Sequence, residues 1–224
     1  MKKGLVEFNW NNVDKYTDEE ITYFLFVEGK GINTICKIRG LDRSEVQNHI
    51  IQGKIKYRFL AKSQNTKEFF KTLSEAGKQD KITVLNSLDK ENKIRIIKFI
   101  RQNYADMYPK DKELGVWILG ELREIEGLDI LIKASVHKFV NIRRMSVSAM
   151  GKLENEKCEV ALIRALDDDN PQVVMYAIKA LYKIKSVKSI DKIQYIKKSA
   201  QKKYLKEAAE KYLTDLNLYK MGVT

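Results

Sequence analysis

A chain of 224 residues with 44% hydrophobic content can bury a core, and 32% charged residues suit helices with one wet face. Proline at only two positions and the lack of long alternating β-branched runs argue against a β-rich fold, and no apolar run approaches the ~18 residues of a membrane span. The formal net charge of +12 points to an anionic partner such as nucleic acid or an acidic surface, although lysine-rich solvated helices give the same total. Cys36 and Cys158 lie far apart without C-x-x-C spacing, so neither a disulfide framework nor a zinc site is expected. The start, Met1 to Phe8, lacks the apolar segment of a signal peptide, which fits a reducing cytoplasm. The expected fold class is all-α.

Phe8 and Trp10 can form a short arm packed on the first helix. Thr17-Asp18-Glu19-Glu20 predicts a capping box, opening a helix to about Glu28 with Ile21, Phe24, Leu25 and Val27 inward. Gly29-Lys30-Gly31 breaks it. A short helix over 32–39, the turn Gly40-Leu41-Asp42 and a third helix from Arg43-Ser44 toward Lys56 or beyond complete a trihelical pattern. Ile35 and Cys36 are an apolar and a small residue, Gly40 follows four positions on and Leu41 comes next. Val46-x-x-His49-Ile50 lies in the third helix. On these positions the stretch resembles the helix-turn-helix family, in particular the small modules appended to some helicases and response regulators. Arg39 departs from it, standing where an apolar residue is more common. The resemblance covers about 35 residues and implies that the third helix reads base edges in DNA, with RNA as the other polyanion.

With Val46 and Ile50 inward, Arg43, Ser44, Gln47 and Asn48 point outward near the start of the third helix. Gln and Asn can pair bidentately with adenine and Arg with guanine. Lys30, Lys37 and Arg39 on one side, and Lys54, Lys56 and Arg58 on the other, are candidate phosphate contacts. From Lys30 to Lys62 eight Lys/Arg residues face two acids. The competing reading is a trihelical module that packs on the rest of the chain or on another protein and never touches nucleic acid.

The polar run Lys62-Ser63-Gln64-Asn65-Thr66 suggests a boundary, giving a module over 1–62, connecting helices over 63–90 and a repeat array over 91–224. Asn65 or Thr66 caps a helix through Phe69, Phe70 and Leu73 that ends near Gly77; further helices are expected over 80–88, 91–104 and 111–125. Ile142 to Leu153 and Val173 to Ile184 then repeat one pattern at an offset of 31 residues, and Gly120 and Leu122 precede Gly151 and Leu153 by the same step. A period in this range marks stacked helix pairs, none of which buries its apolar face alone. First helices are expected over 128–136 and 158–166, with Asp167-Asp168-Asp169-Asn170-Pro171 as a turn and Pro171 at the first helical position. A degenerate copy over 204–213 suits a terminal cap. The run Asp-Asp-Asn-Pro, then Val173, Ala177, Ala180 and Leu181, resembles HEAT repeats. Ile142-Arg143 fills the Val-Arg slot of the previous copy, whereas Val174 replaces the arginine in this one. That resemblance implies a solenoid, and such solenoids bind proteins, lipids and nucleic acids alike.

Nine lysines from Lys183 to Lys206 face only Asp191, so Arg143, Arg144, Lys197, Lys198, Lys202 and Lys203 are candidates for a second basic track. A solvated cap is the alternative, as is an Arg143 paired with an acid such as Asp168. Trp117 and Glu121 lie one helical turn apart and resemble the Trp and Asp of HEAT-like DNA glycosylases of the alkylation-repair family, but with Glu for Asp. His49 is accounted for by packing and His137 by helix capping. No metal cluster, phosphate loop or cofactor motif is expected. The expectation is therefore a non-enzymatic nucleic-acid-binding scaffold whose repeats engage a protein partner or extend the basic track. A protein-interaction adaptor is the alternative, and charge reversal at Arg43 and Lys54 separates the two.

Overall fold

A computed structural model describes residues 2–220. They form two compact units, one up to Phe99 and one from Ile100 onward. Helices dominate both, in keeping with the all-α expectation, and the strands form only a two-residue hairpin.

The first unit opens with that hairpin, which the sequence did not announce. β1 (Lys2–Lys3) pairs antiparallel with β2 (Val6–Glu7). Leu5, Val6 and Phe8 are buried, and the Leu5 N–H donates to the Leu60 carbonyl at 2.9 Å. The expected aromatic arm follows: Phe8 stacks on Phe24 at 4.5 Å, and the Trp10 indole donates to Glu28 at 2.6 Å. Helix α1 (Asp18–Val27) begins with the capping box of Thr17 and Glu20. Its inward set is Thr22, Tyr23, Phe24 and Leu25, while Ile21 is only half-buried. The difference from the expected set arises because α1 serves two contacts. Tyr23 and Phe24 meet Tyr57 and Phe8, whereas Leu25 meets Ile35, Val46 and Ile50.

Helix α2 (Ile32–Arg39) ends at Gly40, whose φ of 64° is left-handed and open to glycine without a Cβ clash. Helix α3 (Arg43–Lys62) is 20 residues long and starts from a second capping box, Asp42 with Glu45. Helices α4 (Thr66–Glu75) and α5 (Lys78–Ser87) pack on α3, and α6 (Lys90–Asn103) runs across the division between the units.

The second unit is built of α7 (Pro109–Leu122), α8 (Leu128–Ala134), α9 (Val140–Leu153), α10 (Glu159–Ala165), α11 (Pro171–Lys183), α12 (Ile190–Ser199) and α13 (Lys203–Lys220). α7, α9, α11 and α13 pack side by side in sequence, and α8, α10 and α12 each lie against the helix that follows them. The helix expected to reach Ile125 stops at Leu122 because Arg123 turns left-handed at φ 54°. Glu154 and Lys185 do the same at φ 52°, again one 31-residue step apart. This recurrent chain reversal uses no glycine, so composition gave no sign of it. The close packing does use glycine. A Cβ on Gly120 would sit 2.6 Å from Ala149 Cβ, and one on Gly151 would sit 2.9 Å from Ala180 Cβ.

Candidate functional site

The outward face of α3 assembles from the residues that its core face leaves over. Val46 and Ile50 are buried, so Arg43, Ser44, Gln47, Asn48 and Lys54 are exposed. Several of them have structural duties. The Arg43 guanidinium donates to Asn33 on α2 at 3.1 Å, and the Ser44 hydroxyl donates to the capping carboxylate of Asp42 at 2.8 Å. Lys54 lies 4.9 Å from the Phe26 ring centre.

The flanking cations divide more sharply. Arg39 is largely buried and pairs with Asp18. Lys56 donates to Glu20 at 2.8 Å, and Arg58 pairs with Asp80 at 3.1 Å. Burial of Glu20 opposes its ionisation, yet bonds from Lys56, Tyr57 and the Thr17 N–H hold its carboxyl below the usual range. Lys30 and Lys37 are exposed and make no ion pair among the described residues. Pattern reading overlooked Ile51 and Ile55, which stand 53% and 57% exposed on α3. Once Val46 and Ile50 face inward, helical spacing places these two outside.

In the second unit the charges join repeats. Arg143 grips Asp168 with both arms, Nε to Oδ2 at 2.6 Å and Nη2 to Oδ1 at 2.9 Å. Its third nitrogen donates to the His137 and Lys138 carbonyls. Lys152 pairs with Glu121, Lys183 with Glu154 at 2.7 Å, Lys188 with Glu159 at 2.9 Å and Lys192 with Asp167. Of the remaining track candidates, Lys197 pairs with Glu210 at 3.1 Å and Lys203 lies 3.6 Å from Glu207. Arg144 is half-buried, and Lys198 and Lys202 are exposed without an ion pair among the described residues.

Candidate catalytic groups are likewise engaged. Glu121 is held by Lys152, and Trp117 is half-buried. His49 shares a hydrogen bond with the buried Thr22 hydroxyl at 3.2 Å. His137 Nδ1 accepts the Phe139 N–H at 3.1 Å, in the turn that leads into α9. Partial burial, then the charges of Lys112, Lys138 and Arg143, keep the His137 imidazole below its ordinary pKa of 6.5. Asp168 accepts the Asn170 N–H and Asn170 caps α11, so the acidic run is a turn. Among the described residues no group of His, Cys, Asp and Glu is placed to hold a metal ion. No helix there is long and apolar enough to cross a membrane.

Comparison with known proteins finds a family match within the second unit and a structural match over more of the chain. Residues 128–214 match the family model of HEAT repeats. No curated protein matches. Among solved structures the chain is similar to a designed armadillo repeat protein in complex with the peptide (KR)4. That match has a TM-score of 0.50 at 15% identity and covers 78% of this chain and 94% of the other. The period, the paired helices and the family match agree: the chain is an all-α protein carrying HEAT-like repeats.

Proposed function

We propose that the protein is a non-enzymatic scaffold whose HEAT-like repeats bind an acidic segment of a protein partner. One observation carries this reading: five basic side chains of the repeats bond to carboxylates of neighbouring repeats and so act as joints of the scaffold rather than as an open phosphate track. Lys152, Lys183, Lys188, Lys192 and Arg143 all pair in this way. The net charge of +12 still favours an acidic partner over a basic one. The structural neighbour is in complex with a peptide, a basic one; the net positive charge of this chain favours an acidic one instead.

A second reading rests on the first unit. The left-handed Gly40 turn, the buried Val46 and Ile50 and the exposed Arg43, Gln47, Asn48 and Lys54 support a nucleic-acid-binding α3, with DNA preferred over RNA. Titrating the full chain with polyglutamate and with a mixed-sequence DNA duplex at ~50 mM salt separates the two. The scaffold reading expects polyglutamate to bind and Arg43→Glu with Lys54→Glu to leave that binding intact. Tight duplex binding abolished by the same pair of substitutions, with no binding of polyglutamate, replaces it by the second reading.

A further inference from the structure

One column of the repeat changes character along the second unit. Gly120 and Gly151 occupy it in α7 and α9, each pressed against an alanine of the next long helix. One 31-residue step later the column holds Tyr182, on α11. Glycine lets one helix close onto the next, whereas a tyrosine ring holds its neighbour off. Between α11 and α13 a groove of about 490 Å³ opens, within the ~300–1,000 Å³ of typical ligand clefts. Met175, Ile178 and Ala208 give it an apolar floor. Tyr182 and Tyr204 border it and remain 41% and 40% exposed.

Hydrogen bonds fix two of the tyrosines that line the groove. The Tyr212 hydroxyl donates to the Ser186 carbonyl at 2.6 Å and lies 2.8 Å from the Ser189 hydroxyl. The Tyr182 hydroxyl donates to Asp215 at 2.8 Å, tying α11 to α13. Charge on the rim is uneven. Lys183 is paired with Glu154, but Lys179 and Lys211 are exposed and make no ion pair among the described residues.

We propose that this groove seats one apolar side chain of an acidic peptide, with flanking carboxylates received by Lys179 and Lys211; the proposal rests on the scaffold reading above. Two separate cations beside an apolar floor match discrete carboxylates on either side of an anchor residue. A continuous phosphate chain fits less well, because it brings charge at every unit past Glu207 and has no apolar group to fill the floor of Met175, Ile178 and Ala208. A single anchor in a preformed pocket, ringed by weaker contacts, is a common way for a peptide to gain affinity.

The test uses the full chain and fluorescein-labelled peptides of about 12 residues, glutamates with one central Leu, Phe or Trp, read by anisotropy. At least one peptide is expected to bind saturably in the micromolar range. Ala208→Glu, which fills the floor with charge, and the surface pair Lys179→Glu with Lys211→Glu are each expected to weaken binding about tenfold or more. Replacing the central residue by Ser is expected to do the same. Thermal melts of the surface pair control for folding. The proposal is overturned if no peptide binds, if the groove variants bind as tightly as the parent chain or if oligouridylate displaces the peptide. It is also overturned if the free chain sediments as a dimer that Ala208→Glu dissociates, since a second copy then occupies the groove. Polyglutamate binding that persists while the groove variants have no effect removes the groove and leaves the scaffold reading. Loss of all acidic ligands removes both.

Discussion

Arg143 and Asp168 show how a single pair can fix the joint between two repeats. The guanidinium meets the carboxylate fork to fork and its remaining nitrogen closes the preceding turn, so removing either partner strands several groups at once. Burial alone would raise the Asp168 carboxyl, but the Arg143 bonds and the Asn170 N–H together hold it below its usual range. The sign follows from linkage. A depressed carboxyl contributes stability that is complete above its unfolded pKa of 3.8 and is lost as pH falls through the lower folded value. Asp168→Asn is expected to lower stability by about 2 kcal/mol at neutral pH, read by urea denaturation, and to flatten the acid limb of the stability profile. Arg123 allows the opposite change. A non-glycine residue at φ 54° carries a local strain of about 1 kcal/mol. Arg123→Gly relieves it against some loss of chain entropy, so a net gain of about 0.5 kcal/mol is expected in the same measurement.

At the scale of elements, helix approach is set by what stands in the glycine column. In Gly120→Ala the new methyl would fall 2.6 Å from Ala149 Cβ and 2.8 Å from its Cα, atoms that cannot swing aside. Alanine's better helix propensity returns about 1 kcal/mol, but overpacking costs about 1–3 kcal/mol. The net expectation is a lower melting temperature, and a variant that melts above the parent chain refutes the close-approach argument. The 31-residue period makes α9 and α11 legible in the sequence, because each presents its apolar residues over a full three turns or more. α8 and α10 are harder to delimit there: each is only seven residues long and is preceded by a tight 3-10 turn. The hairpin at Lys2–Glu7 offers only two residues per strand, too short for an alternation to register. On α3 the outward residues can be read from the inward Val46 and Ile50. The ion pairs of Arg39, Lys56 and Arg58 cannot, because Asp18, Glu20 and Asp80 reach them only through tertiary packing. Tyr182 stands in plain view at the glycine position of its repeat, but its effect on α13 is a matter of packing distance.

For the molecule as a whole, the excess of 42 Lys/Arg over 30 Asp/Glu guarantees some attraction to any polyanion, so weak DNA binding alone says little. The informative quantity is how many cations can leave the protein for phosphates. Among the candidate contacts around α3, Lys30, Lys37, Arg43 and Lys54 are exposed without an ion pair among the described residues, whereas Arg39, Lys56 and Arg58 would have to abandon carboxylates. Each phosphate neutralised contributes about 0.9 to the slope of log affinity against log salt, so a duplex held on the α3 face by these four cations gives a slope of at most about 4. Anisotropy of a labelled duplex between ~50 and ~200 mM salt measures it. A slope at or below that ceiling, unaltered by Arg39→Ala and Lys56→Ala, is the expected outcome. A steeper slope that falls by about 1 with each of those substitutions would mean that the ion pairs open to meet DNA, and α3 would then be the working surface of the protein.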